Sequence, residues 1–321
     1  MQQTVVIGAG ISGLALAYEL QCAGLDTVVL DSASTPGGVI KSENHGGFLV
    51  ELGPNSTLTK PPVRCLIEKL ALENELVLPQ DHARKRFLAI KRSPAHPLEL
   101  CAAPMSMREA ALTPILSPLG KARLFFEPFA KAGQGVDESV DSFISRRVGR
   151  EVTEMIVAPM LAGIWAADLE RLSMRSALPL LWSFEKEHGS LLRGAISHFS
   201  KKRKESKPKK TRARLASFQT GMSALPQALR RALAPDSVQL NTEVLRIEET
   251  AGGICIHCRR PQPWPERLKP HSAPGSDGAT TAILAERIVI AVQSPAAARL
   301  IEPLSSKLAA ALRTIPYAPL G

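Results

Sequence analysis

Gly8, Gly10 and Gly13 stand in a Gly-x-Gly-x-x-Gly turn, and Asp31 follows eighteen residues after the last of them. Glycines at this spacing do a definite job. The first permits a tight turn, the second lets backbone N–H groups approach a pyrophosphate, and the third lets a helix pack closely on a strand. A carboxylate at the position of Asp31 accepts hydrogen bonds from a ribose diol. The chemistry implied is dinucleotide binding, with Ala9, Ile11 and Ser12 inside the turn and Ser32 beside the acid as further contacts. The elements that must position these residues are legible on either side. Thr4 to Ile7 is a short β-branched strand, Leu14 to Cys22 an amphipathic helix, and Thr27 to Leu30 a second strand that delivers Asp31.

The next segment narrows the dinucleotide. A Pro36-Gly37-Gly38 turn is followed by Gly47-Phe48-Leu49-Val50-Glu51-Leu52-Gly53-Pro54-Asn55-Ser56. This resembles the flavin amine oxidase superfamily, in which a Gly-Gly pair after the ribose acid closes over FAD. The resemblance implies FAD as cofactor, with Gly37, Gly38, Gly53, Pro54, Asn55 and Ser56 among its contacts. Within that superfamily the chain is similar to the oxygen-dependent protoporphyrinogen oxidase family, and the likeness runs along nearly its whole length. Gly37 to Ser42, the Arg86-Phe87-Leu88 strand start, Ala158 to Asp168 with Leu172-Ser173-Met174, Trp182 to Ile196, Phe218 to Met222 with Leu225-Pro226, and Ile315 to Ala318 each resemble a family block.

That resemblance implies an α/β fold: a Rossmann-like FAD-binding domain, a mixed-sheet substrate domain and a helical, membrane-associated subdomain. It implies that Arg86 clamps a propionate carboxylate, a task suited to the planar fork of a guanidinium. Ala162 and Gly163 resemble positions of a glycine-rich substrate loop, where small residues let a flat macrocycle approach the backbone. Val244, in Asn241-Thr242-Glu243-Val244, is carried over as an adenine contact. The implied reaction is oxidation of protoporphyrinogen IX to protoporphyrin IX. FAD takes hydride from the substrate, dioxygen reoxidises the flavin to give hydrogen peroxide, and three rounds remove six electrons. No general base is assigned, because the cofactor carries the hard step. Coproporphyrinogen III oxidation, another amine-oxidase-like reaction and an inactive flavoprotein remnant stay open as alternatives. A homodimer is the oligomer left open by the resemblance.

Composition agrees with a globular protein of about two domains: 45% of the 321 residues are hydrophobic. The longest weakly polar run, 155–167, includes Pro159 and falls short of the roughly twenty residues that a membrane span needs. The first strand begins at Thr4 with no basic or Arg/Ser-rich leader ahead of it, so a cytoplasmic setting is expected, with peripheral membrane contact open. Five scattered cysteines suit a reducing compartment. Cys255-Ile256-His257-Cys258 lies in an alternating strand-like run with no second ligand pair, so ordinary strand cysteines and no metal are expected. Lys201 to Arg214 holds nine basic residues against Glu205 alone, which accounts for +8 of the net charge of +10. Without interleaved aromatics it is no nucleic-acid surface. It reads as a solvated loop, with anionic lipid head groups as the functional alternative.

The expected organisation follows the chain. Residues 1–78 begin the FAD-binding domain, with a helix from Arg64 to Leu76. Residues 79–105 begin the substrate domain, with Phe87–Ile90 as its clearest strand. Residues 106–200 form the helical subdomain, broken by Pro114, Pro118, Pro128, Pro159 and Pro179. The basic loop 201–214 follows. Residues 215–297 return to the FAD-binding domain, with a helix from Met222 to Leu233, strands from Val238 to Glu248, a buried strand from Arg287 to Val292 and an irregular Pro/Gly-rich hairpin insertion at 261–281. Residues 298–321 start a second substrate-domain segment. Family members continue through a further glycine-rich segment and helix, so the chain is expected to be a C-terminally truncated member.

Overall fold

Uninterrupted β-branched runs belong to strands covered on both faces, and two such runs form the centre of the fold. β1 (Gln2–Ile7) and β2 (Thr27–Leu30) pair in parallel with Val6 opposite Val29, and Val5, Val6, Val28 and Val29 are fully buried. The computed structural model describes residues 2–80, 86–91, 97–133, 135–204, 213–261, 264–265 and 280–317. Its contacts divide the chain into two units, Met1–Pro79 with Thr211–Pro316, and Gln80–Lys210 with Tyr317–Gly321.

In the first unit, α1 (Ile11–Cys22) links β1 to β2 and buries Leu14 and Ala17 against Val6 and Val29. The hairpin β3 (Ser42–His45) and β4 (Phe48–Glu51) comes next, followed by β5 (Thr57–Leu58), α2 (Pro61–Lys69) and β6 (Leu76–Val77). The helix expected over Arg64–Leu76 is therefore shorter at its end and starts three residues earlier, on a proline at a first-turn position. It stops because Ala71 takes a left-handed conformation, φ +54°, while Leu72 N–H donates to Ile67 O and Ala71 N–H to Glu68 O. That is a Schellman cap with alanine where glycine is usual. The usual glycine signal is absent, so the stop could not be read from residue type.

In the second unit, β7 (Phe87–Ile90) and β8 (Glu99–Ala102) pair antiparallel. Among the described residues this ribbon stands where a mixed substrate sheet was expected. Helices follow: α3 (Met107–Leu112), α4 (Pro118–Phe125), α5 (Val140–Val148), α6 (Arg150–Val152), α7 (Ala158–Trp165), α8 (Met174–Ala177), α9 (Pro179–His188) and α10 (Leu191–Lys204). A five-residue π-helical turn, Thr153–Val157, joins α6 to α7. Pro118 and Pro179 sit in first turns and so start helices rather than break them, while Pro159 follows the π-helical turn inside the continuous helical stretch 150–165. Ser106, Ser117, Ser139 and Ser173 cap helix N-termini with their hydroxyls. Gly194 lets α10 lie on α9, since a Cβ there would stand 2.4 Å from Phe184 Cβ.

Arg147 is fully buried in this unit, and Glu127 neutralises it. The Arg147 Nε donates to Glu127 Oε1 at 2.8 Å and its Nη2 also donates to that oxygen. Ser190 Oγ (2.7 Å) and the Leu191 (2.8 Å) and Leu192 (3.2 Å) N–H groups complete the carboxylate's shell. Burial alone would raise the Glu127 pKa, but these hydrogen bonds hold it below the usual glutamate value.

The chain then returns to the first unit through β9 (Leu215–Phe218), α11 (Ala224–Ala232), β10 (Val238–Gln239), β11 (Glu243–Thr250), β12 (Gly253–Arg259), β13 (Thr280–Ile290), α12 (Ser294–Ile301) and α13 (Ser306–Arg313). The central sheet runs β10-β2-β1-β13-β12-β11, parallel from β10 to β13 and antiparallel beyond. Leu14 and Leu229 cover one face, while Leu300 joins Val5, Ile7 and Ile256 on the other. α12 thus spans the expected boundary at residue 298 with its Leu300 in the core of the first unit. The strand expected at Arg287–Val292 is the end of the longer β13, and its buried stretch is Thr281–Ala285 rather than that end, apart from the half-buried Leu284. Of the basic run, 201–204 continue α10 and 205–212 lie outside the described residues. Most of the insertion at 261–281 lies outside them as well, although its flanking strands pair antiparallel. Among the described residues no helix is long and apolar enough to cross a membrane.

Candidate functional site

The glycine turn is shaped by backbone contacts that only glycine permits. Gly8 has φ +111°, and a Cβ there would stand 2.6 Å from Ala291 O. At Gly13 a Cβ would stand 1.9 Å from Gly8 O, so that glycine sets the closeness of α1 to β1. Gly10 differs in kind. Its φ of −67° and ψ of 172° suit any residue, and a Cβ built on it meets nothing within 4 Å. The backbone there therefore borders open space. Gly10 is also the N-cap of α1, a helix with no side-chain cap and no acid in its first turn, so the N-terminal N–H groups and the positive end of the helix remain available to an anion.

Asp31 is brought to this turn as expected, and it also braces it. Its Oδ2 accepts from Ala9 N–H at 2.6 Å and its Oδ1 from Ala33 N–H at 2.7 Å. Each carboxylate oxygen keeps a further lone pair for a ligand hydroxyl. The second glycine turn joins the first: Gly37 N–H donates to Ala9 O at 2.8 Å, Gly10 and Gly37 form a parallel bridge, and a Cβ on Gly38 would lie 3.3 Å from Gly10 Cα. Gly53 lies against the same segment, where a Cβ would stand 1.9 Å from Val39 O. Pro54 and Asn55 are exposed, and the half-buried Ser56 donates to Asn55 Oδ1.

A cleft of about 380 Å³ opens beside the turn, bordered by Gly8, Asp31, Ser32 and Val244. The last of these sits where the β11–β12 register shifts, between Val244 and Arg246. Ser12 is exposed at the helix start and Ile11 is half-buried. Thr242 and Arg299 are polar lining residues that the sequence did not single out as contacts. Arg299 lies on α12, far along the chain in an otherwise apolar helix, and no local signal marks it. A larger cleft of about 590 Å³ lies beyond Pro36, bordered by Lys41, Ser42, Ser223 and Arg230. Here two separate sequence blocks meet: Ser42 N–H donates to Ser223 Oγ (2.7 Å), Ser223 N–H returns a bond to Ser42 Oγ (3.0 Å), and Glu51 accepts from Ser42 Oγ and Met222 N–H.

The substrate candidates lie in the second unit. Arg86 is exposed immediately before β7, and its neighbours Arg84 and Lys85 lie outside the described residues. Ala162 and Gly163 are not in a loop. They are exposed residues of α7, which ends at Ala166 in a left-handed conformation, φ +46°. Ala162 and Gly163 are accommodated in helix, and Pro159 is carried inside the helical stretch 150–165, directly after the π-helical turn. A Cβ on Gly163 would meet nothing within 4 Å, so this face offers bare backbone to open space. Cys255 and Cys258, three apart on a strand, face opposite sides: Cys258 is in the core, where burial pushes its thiol up to about 12.

Fold and site together define a dinucleotide-binding protein of the flavoprotein class, with a glycine cradle and helix N-terminus that fit the pyrophosphate of FAD. Residues 11–321 match the family model of flavin containing amine oxidoreductases, and the chain belongs to that family. It is 31% identical over 267 residues to protoporphyrinogen oxidase 2, chloroplastic/mitochondrial, of Arabidopsis thaliana, covering 78% of this chain and 51% of that protein. To the coproporphyrinogen III oxidase of Staphylococcus aureus it is 30% identical over 252 residues, covering 76% of this chain and 54% of that protein. The chain thus spans about half the length of the curated relatives it matches. Its fold is shared with a crystal structure from Exiguobacterium sp. 255-15 (TM-score 0.71, 21% identity, 94% of this chain and 61% of the other). Cyclohexylamine oxidase from Brevibacterium oxydans shares it too (TM-score 0.57, 18% identity, 97% and 63%).

Proposed function

We propose that this chain acts in the FAD-dependent oxidation of protoporphyrinogen IX to protoporphyrin IX, with dioxygen as the electron acceptor. The observation that carries the reading is the open cradle at Gly10, in a chain whose relatives are named as porphyrinogen oxidases. When bound, FAD supplies the two-electron acceptor for each round of oxidation. The chain's own residues bind and orient. N–H groups at the N-terminus of α1 hold the pyrophosphate where it approaches Gly10, the free lone pairs of Asp31 hold the ribose, and Val244 walls the adenine side of the cleft. Gly37, Gly38 and Gly53 to Ser56 extend the cofactor surface, and Arg299 adds a cation beside the phosphates. In the second unit the bare backbone at Ala162 and Gly163 receives the flat macrocycle, and Arg86 pairs with a propionate.

The same proposal assigns FAD binding to the first unit, and substrate binding with peripheral membrane contact to the second. Exposed Leu112 and Leu119 on α3 and α4, and the exposed Phe126 and Phe129 rings 6.3 Å apart after α4, support that contact as large apolar side chains left open to solvent. A cytoplasmic location and a homodimer complete it. Coproporphyrinogen III is the second substrate reading, favoured by the near-equal identity to the Staphylococcus aureus relative. An absorbance spectrum of the purified chain before and after FAD addition, then porphyrin fluorescence with each porphyrinogen in air, tests both. Resolved flavin bands with growing fluorescence support the oxidase, and the faster substrate decides between the two. A chain that takes up no flavin at saturating FAD overturns the reading.

A further inference from the structure

Pairing of β11 with β12 brings together three donors on one face of a hairpin. Glu248 on β11 stands opposite Cys255 on β12, and His257 stands opposite Arg246. Residues two apart on a strand share a face, so Glu248, Cys255 and His257 present one ligand atom each within 4.8 Å of one another. His257 Nε2 lies 2.6 Å from Glu248 Oε1 and 3.6 Å from Cys255 Sγ. Both neighbours approach the same ring nitrogen. A proton relay of the cysteine–histidine–carboxylate kind uses the two ring nitrogens separately, one for the sulfur and one for the acid. Here the three donors converge on one point instead.

We propose that Glu248, Cys255 and His257 form a binding site for a divalent cation of the zinc class, a staple between edge strand β11 and β12. The donor set is sulfur, nitrogen and oxygen, which suits a borderline-soft ion. Tetrahedral zinc with its ordinary bond lengths separates a histidine nitrogen and a cysteine sulfur by about 3.6 Å, which the structure already provides. The nitrogen–oxygen pair must open by about 0.7 Å from its hydrogen-bonded distance, within reach of a glutamate rotamer adjustment. Arg246 Nη2 holds Glu248 Oε2 at 2.5 Å, so the other oxygen is aimed at the site, as partners behind metal ligands commonly do. Cys255 is rooted in the sheet at 6% exposure, whereas Glu248 and His257 are about one-third exposed. The ion therefore has an entry route and a fourth position open to water. On binding, the Cys255 thiol releases its proton and sulfur forms the metal bond, while His257 Nε2 contributes its lone pair and carries its hydrogen on Nδ1.

The test uses the full chain with exposed Cys22 and Cys65 replaced by serine, so that surface thiols do not compete. Cobalt(II) is the optical probe, and zinc affinity is measured by competition with a chromophoric chelator. The expected result is one ion per chain, with a thiolate-to-cobalt charge-transfer band that Cys255→Ser removes. His257→Asn and Glu248→Gln should weaken zinc binding at least about tenfold, and Cys258→Ala should leave it intact. Because His257 is partly exposed, His257→Asn keeps the test valid if Cys255→Ser disturbs the sheet. Absence of binding, or binding indifferent to both Cys255→Ser and His257→Asn, overturns the proposal.

Discussion

Replacing Gly10 by valine should abolish flavin binding while leaving the fold standing, and replacing Gly13 by alanine should do the reverse damage first. At Gly10 the backbone angles suit any residue and the new side chain points into open space. Its folding cost is confined to a poorer helix N-cap, roughly 0.5–1 kcal/mol. For a unit of this size that lowers the melting temperature by only a few degrees, at about 2–4 °C per kcal/mol. The same side chain occupies the space a pyrophosphate must enter. Losing two charge-assisted hydrogen bonds at about 1.5 kcal/mol each amounts to about 3 kcal/mol, or more than a hundredfold in Kd. At Gly13 the obstacle is backbone, Gly8 O at 1.9 Å, which cannot rotate away. α1 must move off β1, an overpacking cost of roughly 1–3 kcal/mol or more. Calorimetry of the flavin-free variants and FAD titration by fluorescence quenching measure the two effects. A Gly10→Val chain that binds FAD like the parent, or that unfolds as readily as Gly13→Ala, would refute this account of the cradle.

Charge reversal at Arg299, which borders the cleft from α12, should weaken FAD binding about five- to tenfold with little change in melting temperature, read by the same titration. Arg86→Ala should raise the porphyrinogen KM about tenfold with the flavin spectrum unchanged; an unaltered KM removes Arg86 from the substrate site. Gly163→Ala should stabilise α7 by up to about 1 kcal/mol yet raise the KM, a split that a purely structural role would not produce. Glu127→Gln should destabilise the second unit by about 3 kcal/mol at neutral pH, because it weakens the buried Arg147 pair. Glu127 is held below its ordinary value, so its contribution is complete above the unfolded value of about 4.3 and is lost as pH falls through the folded one. Urea unfolding of parent and variant should therefore converge in strong acid, and a gap that persists there would contradict the assignment.

Where a feature depends on residues a few positions apart, the sequence by itself determined it. The glycine turn, the strand Thr27–Leu30, the acid that follows it and the strand Phe87–Ile90 all follow from local sterics and alternation, and all stand where they were read. Signals of the same local kind misled where residue type and conformation parted. Ala71 caps a helix in a glycine's conformation, and Ala162 and Gly163 lie in a helix rather than a loop. Tertiary structure alone decided what meets across long separations. The reciprocal Ser42–Ser223 bonds and Arg299 at the cleft join segments far apart in the chain, and even the hairpin contact of Glu248 with Cys255 and His257 depends on the register of β11 and β12. Register is set by burying whole faces of the sheet cooperatively, a property of the assembled core that no short stretch of residues carries.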